Sequence, residues 1–266
     1  MKPTFTLIGS KVIIRLKYKN IKKNDILYYS NLNKDFFMSY EYSENELVQN
    51  SAIELLRDTL GWRTFYAYND EVLGNDSSSK SLGRSSYKEV LLTRYLKEAV
   101  FKFNDWVTDE IFEQIVKILN TKVSSDSDIQ NNEKNYKYFK DGIEVDVKDE
   151  KGNYIKRRAK LFDFTHPEEN DFLAVQEMKI WGEVYHRRAD IVGFVNGIPL
   201  LFVELKRDDV DIQEAYENNY KDYRTTIPQL FYYNAFIVFA NGPEAKISTL
   251  ESKYKFFHEW KRLSEK

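Results

Sequence analysis

Cysteine is absent from all 266 residues, which removes disulfides, thiolate metal centres and a cysteine nucleophile from consideration. Histidine is scarce: His166, His186 and His258 are scattered, without metal-ligand spacing. No apolar run approaches the roughly 20 residues of a membrane span, and the N-terminus lacks a signal-peptide pattern. A soluble, cytoplasmic protein is expected. Positive charge is not in excess either: 40 Lys and Arg against 42 Asp and Glu give a net charge of −2. That balance excludes a global basic field for nucleic acid, so any such contact must come from local patches. No Gly-x-x-x-x-Gly-Lys-Ser/Thr loop occurs, and no ATP chemistry is expected in this chain. What is present is a 42% hydrophobic content, sufficient for the core of one large domain or a domain with appendages.

The chain is organised around the stretch from Arg188 to Lys206. Two apolar runs, 191–195 and 198–203, are rich in β-branched and aromatic residues and flank Asn196-Gly197, a strong hairpin signal. The polar residues fall at the ends, at Asp190 and at Glu204-Leu205-Lys206. Side chains two apart along a strand share a face, so Glu204 and Lys206 lie together with Leu205 behind them in the core. A strict two-residue loop sets Asp190 opposite Val203, facing away from Glu204. One extra residue in the hairpin brings Asp190 and Glu204 to one face. An irregularity near Asn196-Gly197 is therefore predicted, and a regular hairpin would leave no site.

Two carboxylates on one face are costly unless a cation neutralises them. Oxygen donors suit Mg²⁺, which takes one or two carboxylates and keeps several waters. A metal ion generates a nucleophilic water near neutral pH, and a nearby ammonium stabilises charge developing on a phosphate. Asp, then Glu-x-Lys, is the minimum set for metal-assisted phosphodiester hydrolysis. Glu-x-Lys by itself also occurs by chance, as solvated charge at strand ends.

Asp190 and Glu204-Leu205-Lys206 resemble the PD-(D/E)xK nuclease signature, with Ala189 where the signature has Pro. The run from Arg188 to Lys206 is similar to the nuclease domain of type I restriction enzymes, in the endonuclease (R, or HsdR) subunit. The resemblance continues through 222–231, Tyr233-Asn234 and Asn241-Gly242, extends upstream through 170–175, and covers roughly residues 45–266. It implies an α/β fold, a central mixed β-sheet flanked by helices, with helical additions to the nuclease core. It also implies Mg²⁺-dependent cleavage of double-stranded DNA, with Mn²⁺ as a substitute ion. Asp190 and Glu204 would bind the ion, with the Leu205 carbonyl, and Lys206 would position water or stabilise the phosphate. Methyltransferase (M) and specificity (S) subunits are the implied partners. ATP would serve only the full-length subunit, whose helicase-like translocase is expected to follow Lys266.

Other positions carry weaker implications. Related subunits often have Glu where this chain has Gln49, so the helix contribution to the site is open; Glu46 and Glu54 are alternatives that read more simply as solvated. Asn219-x-x-x-Tyr223 has the spacing of a DNA-approaching Gln-x-x-x-Tyr motif, with Asn in place of Gln. Arg188, with His186 and Arg187 beside it, is a candidate for the scissile phosphate or for pairing with nearby carboxylates. Lys151, Lys156, Arg157, Arg158 and Lys160 form the densest basic cluster, either a phosphate surface or a solvated hairpin edge.

Along the chain, residues 1–42 are read as an N-terminal extension whose lysines form a solvated face, 43–255 as the nuclease domain and 256–266 as a linker. Helices are expected from Ser43 (a capping box with Glu46) to Gly61, over 87–104, 109–119 and 212–223, and a closing helix or linker over 256–263. Strands are expected over 62–68, 172–181 and 234–240, with a hairpin over 142–161 and an edge strand over 247–254. Residues 69–86 and 121–136 read as polar loops. Two rival functions stay open. A non-catalytic DNA-binding or docking module would bind no metal at Asp190 and Glu204. A stand-alone repair nuclease of the same fold would lack the translocase.

Overall fold

The computed structural model describes residues 44–74, 81–122, 127–242 and 244–259. The extension over 1–42 and the Ser43 cap lie outside the described residues. Helix α1 (Glu44–Glu54) runs into a π-helical turn, Leu55–Thr59. Gly61 closes it at φ +73°, with Trp62 N–H donating to the Leu56 carbonyl at 3.0 Å. Strand β1 (Arg63–Tyr66) and the short α2 (Ala67–Asp70) follow. Next come α3 (Thr93–Phe103), α4 (Asp109–Asn120) and α5 (Asp128–Asp141). Strands β2 (Ile143–Lys148) and β3 (Tyr154–Ala159) form a separate antiparallel pair. Then come β4 (Phe172–Trp181), β5 (His186–Val195) and β6 (Ile198–Leu205). A π-helical segment, Ala215–Tyr220, continues as α6 (Lys221–Thr226), and β7 (Phe236–Ala240), β8 (Ala245–Ser248) and β9 (His258–Glu259) complete the chain.

The main sheet has seven strands in the order β1-β4-β5-β6-β7-β8-β9. Parallel pairing at β1–β4 and β6–β7 combines with antiparallel pairing elsewhere. The architecture is the expected α/β one, a mixed sheet flanked by helices. One face of the hairpin, through Ile191, Val203 and Leu205, packs on Ile53 and Leu56 beside α1. The other, through Val192, Phe194 and Phe202, joins the larger core with Tyr220 and Tyr223. Burial of this order, about 1.5–3 kcal/mol per large apolar side chain, fixes the strands on both faces. The three strands that carry the site are thus held in the middle of the sheet.

Several expectations need correction. The segment before α3 is not helical: Leu92 N–H donates to the Gly197 carbonyl at 2.9 Å, so residues 87–92 run past the hairpin turn and the helix begins at Thr93. Residues 128–136 are not loop but the first part of α5, opened by a capping box between Ser127 and Gln130. The expected loop over 69–86 contains a fixed point. Arg84 is fully buried and makes a two-pronged ion pair with Glu71 at 2.8 and 2.6 Å. Its other N–H groups reach the Glu89 and Lys179 carbonyls. Where a closing helix or linker was expected over 256–263, His258–Glu259 form β9 at the sheet edge, and residues 260–266 lie outside the described residues. Among the described residues, no helix is long and apolar enough to cross a membrane.

Candidate active site

The hairpin carries the irregularity its sequence calls for. Ile191 pairs with Val203 and Gly193 with Leu201, but Phe194 pairs with Pro199 and Val195 with Ile198. The register therefore shifts between Gly193 and Phe194, and one extra β6 residue, Leu200, is accommodated. The turn itself stays tight: Asn196 and Gly197 have φ of +51° and +77°, as a two-residue turn with both central residues left-handed requires. Continuing the register one step beyond Ile191 and Val203 sets Asp190 opposite Glu204. The bulge lies at Leu200, close to the turn, and moves the aspartate to the glutamate's face.

Asp190 is locked in place by the Leu205 N–H, which donates to its Oδ2 at 2.7 Å. Glu204 is 2% exposed, and its Oε2 has no hydrogen-bond partner. Its Oε1 lies 3.9 Å from the Lys206 ammonium, which is itself held by the Asn219 side-chain oxygen at 2.6 Å. Burial pushes the Asp190 carboxyl up to about 6, against the hydrogen bond from Leu205 and with the help of the Glu177 charge. Burial, and then the Asp190 charge, raise Glu204 well above the ordinary carboxylate range. Burial and mutual repulsion thus disfavour the charged forms of both carboxyl groups, and positive charge beside them would relieve that cost.

These groups line a cleft of about 530 Å³. Asp190, Glu204, Leu205, Lys206, Arg188, Asn219 and Tyr223 all line it. The Tyr223 hydroxyl donates to the Arg188 carbonyl at 3.0 Å, and burial raises its pKa. Asn219 and Tyr223 straddle the junction of the π-helical segment and α6, a distortion often found at functional sites. Lys179, Arg187, Tyr68 and Trp181 form further walls. A larger hollow of about 1030 Å³, lined by residues of α3 and α4, contains none of the site residues expected from the sequence.

The remaining candidates divide. Gln49 is buried and donates to the Glu177 Oε1 at 3.0 Å and to the Asp190 carbonyl at 3.1 Å, so α1 does reach the site, as a neutral donor. Glu54 is exposed on the same helix. Arg188 pairs with Glu177 at 2.5 Å and lies over the Tyr68 ring at 4.8 Å, while Arg187 pairs with Asp222 on α6 at 2.5 Å. His186 stacks on Trp181 at 4.3 Å. In the basic hairpin, Lys156 and Arg158 pair with Glu144, and Arg157 covers the Trp106 ring. Two of the five cationic residues of that cluster, Lys156 and Arg158, are thus paired across their own two-stranded sheet.

Glu177 was not anticipated. It lies in mid-β4 at φ +56°, and sequence offers no sign of it, since Phe172–Trp181 reads as an uninterrupted strand. Glu204 fits a hard divalent cation: a buried carboxylate oxygen without a partner, among oxygen donors. Among the described residues, no three Asp, Glu, His or Cys side chains are gathered so as to hold a metal; the hairpin itself offers two carboxylates, within what Mg²⁺ takes from a protein.

A mixed sheet flanked by helices, with Asp190, Glu204 and Lys206 gathered on a bulged central hairpin, is a restriction-endonuclease-like architecture. The family model for the type I restriction enzyme R protein N terminus matches residues 41–256, and the chain belongs to that family. It is 30% identical, over 84% of this chain and 21% of the relative, to the type I restriction enzyme HindI endonuclease subunit of Haemophilus influenzae. It is 28% identical to the putative type I restriction enzyme MjaIXP endonuclease subunit of Methanocaldococcus jannaschii, over 82% of this chain and 20% of the relative. The putative MjaVIIIP endonuclease subunit of the same organism is 25% identical over 81% and 20%. The chain spans about a fifth of the length of these curated relatives.

Proposed function

We propose that this chain is the nuclease domain of a type I restriction enzyme R subunit and hydrolyses phosphodiesters of double-stranded DNA with Mg²⁺, or Mn²⁺ in its place. The observation that carries the reading is the buried, unpartnered Glu204 Oε2 facing Asp190, with the Lys206 ammonium beside it. Asp190 and Glu204 would hold the ion, with the carbonyl of Leu205, the residue after Glu204. A cation bound there lowers the pKa of a water and polarises the scissile phosphate.

The chain's own residues do the rest. Lys206, fixed by Asn219, presents its ammonium on the Glu204 side of the cleft, where it orients the attacking water and stabilises charge growing on the phosphate. The Leu205 N–H keeps the Asp190 carboxylate in one orientation. Arg188, half exposed at the cleft, is the candidate contact to the DNA backbone. Asn219 and Tyr223 position Lys206 and the Arg188 backbone and so shape the DNA-facing wall. In the complete enzyme, M and S subunits would supply recognition and an ATP-driven motor would deliver the DNA, so little sequence preference is expected of this domain.

Incubation with supercoiled plasmid tests the proposal. Nicking in Mg²⁺ or Mn²⁺ by the wild type, lost in EDTA and in Lys206→Ala, is expected. Equal nicking by wild type, Lys206→Ala and Asp190→Ala would exclude this cleft as the site.

A further inference from the structure

We propose that Glu177 is a third carboxylate of the cation site, supplied by strand β4 where α1 supplies only the amide of Gln49. The inference rests on the reading of the cleft as a divalent-cation site.

The backbone is the first observation. Gln176 pairs with Ile191 and Met178 with Ala189, so the register is the same on both sides of Glu177 and sets it across from Asp190. Yet these two residues do not pair in the ladder, and Glu177 has φ +56°. Alternation inverts there on both strands. Leu173 and Val175 join the larger core before Glu177 and Met178 and Ile180 after it; Ala189 joins before Asp190 and Val192 after it. A left-handed, non-glycine residue in mid-strand is strained and persists where surrounding structure enforces it. The distortion falls on the one β4 residue opposite the site aspartate.

The side chain is the second. Its carboxylate is almost fully covered, with Oε1 taking the Gln49 amide at 3.0 Å and Oε2 the Arg188 guanidinium at 2.5 Å. Gln49 also donates to the Asp190 carbonyl at 3.1 Å, which ties Glu177 to the hairpin through one side chain. Arg188 lines the cleft and Glu177 does not.

The independent observation is on β6, beyond β5: Glu204 is 2% exposed and its Oε2 meets no donor. A buried carboxylate oxygen without a donor is expensive and asks for a cation beside Asp190, within the electrostatic reach of Glu177. Two carboxylates balance the charge of Mg²⁺ or Mn²⁺, and a third would replace one of the remaining waters with a fixed oxygen ligand. Glu177 enters the site by giving up Arg188, a half-exposed side chain whose guanidinium then becomes available to a DNA phosphate. Cation and DNA would therefore take opposite ends of one ion pair, and binding of each favours the other.

The test is calorimetric titration of this chain with Mn²⁺ at neutral pH, for wild type, Glu177→Gln, Glu177→Asp and Asp190→Asn, with thermal melting in EDTA to establish folding. Loss of binding in Asp190→Asn is expected. Affinity about tenfold lower or weaker still in both Glu177 variants is expected too, since even outer partners of a metal ligand are worth that much. Glu177→Gln within about twofold of wild type would overturn the inference. So would a Glu177→Asp variant that binds like wild type, because a shortened side chain keeps the charge and loses the reach. If Glu177→Gln fails to fold, Glu177→Asp decides alone by the same criterion. Wild type that binds no Mn²⁺, or Asp190→Asn that binds equally well, would remove the cation site itself, a failure distinct from one confined to Glu177.

Discussion

Replacing Asp190 by Asn should make the metal-free protein more stable at pH 8, although it disables the site. Burial raises the aspartate to about 6 in the folded protein, against about 3.9 in an unfolded chain. A carboxyl group whose folded pKa is raised binds its proton more tightly when folded. Its favourable contribution is therefore complete below about pH 4 and is lost as the pH rises through about 6. Two units at 1.36 kcal/mol each amount to ~3 kcal/mol of destabilisation at pH 8. Glu204, raised by burial and by Asp190, adds in the same direction. Asn keeps an oxygen for the Leu205 N–H while removing the charge, so it mimics the protonated acid. With about 2–4 °C per kcal/mol for a domain of this size, melting should rise by roughly 6–10 °C in EDTA at pH 8. The gap should narrow to about a third of that by pH 4.5. Mn²⁺ at about 1,000 times its Kd should reverse the order, because it stabilises the wild type by about 4.1 kcal/mol, more than the ~3 kcal/mol deficit, and cannot do so for the variant. Differential scanning fluorimetry across pH 4.5–8 reads all of this. An Asp190→Asn variant that melts at or below wild type at pH 8 in EDTA, or a gap independent of pH, would refute the reasoning.

Other substitutions probe separate links. Asn219→Ala removes the oxygen that fixes Lys206 at 2.6 Å; plasmid nicking should fall but stay above that of Lys206→Ala, with melting nearly unchanged. Arg84→Met leaves Glu71 charged and buried, so chemical denaturation should show a loss of about 3–5 kcal/mol. Gly197→Ala sets a Cβ 2.4 Å from the Leu92 carbonyl oxygen at φ +77°. The hairpin turn should then shift, with a stability loss of at least ~1–2 kcal/mol in the same measurement and weaker nicking as Asp190 and Glu204 lose register.

The hairpin was legible because strand geometry is arithmetic: Asp190 and Glu204 share a face only if one residue is added, and Leu200 is that residue. Strand β4 was legible at both ends from its apolar run. Its most consequential residue was not, because nothing in Phe172–Trp181 announces the left-handed turn at Glu177. Helix α5 was missed for a different reason. Its buried positions include Asn131 and Asn135, and Asn132 and Asn135 donate to the carbonyls of Asn234 and Tyr232. A helix that docks through amides leaves no apolar stripe to read, although its Ser127–Gln130 capping box was present in the sequence. Segment 87–92 misled in the opposite sense: its apolar residues suggest a helical turn, but the Gly197 carbonyl captures the Leu92 N–H and keeps it out of the helix. Arg84 looked like loop charge because its partner, Glu71, lies on the far side of the same polar stretch.

The most direct test of the central claim is anomalous diffraction from crystals of this chain equilibrated with Mn²⁺. A manganese peak beside Glu204 Oε2 and Asp190, absent from Glu204→Gln crystals, is the predicted result. A protein saturated with Mn²⁺ that leaves this position empty, or carries the ion only elsewhere, would contradict the assignment of the hairpin as a metal-dependent nuclease site.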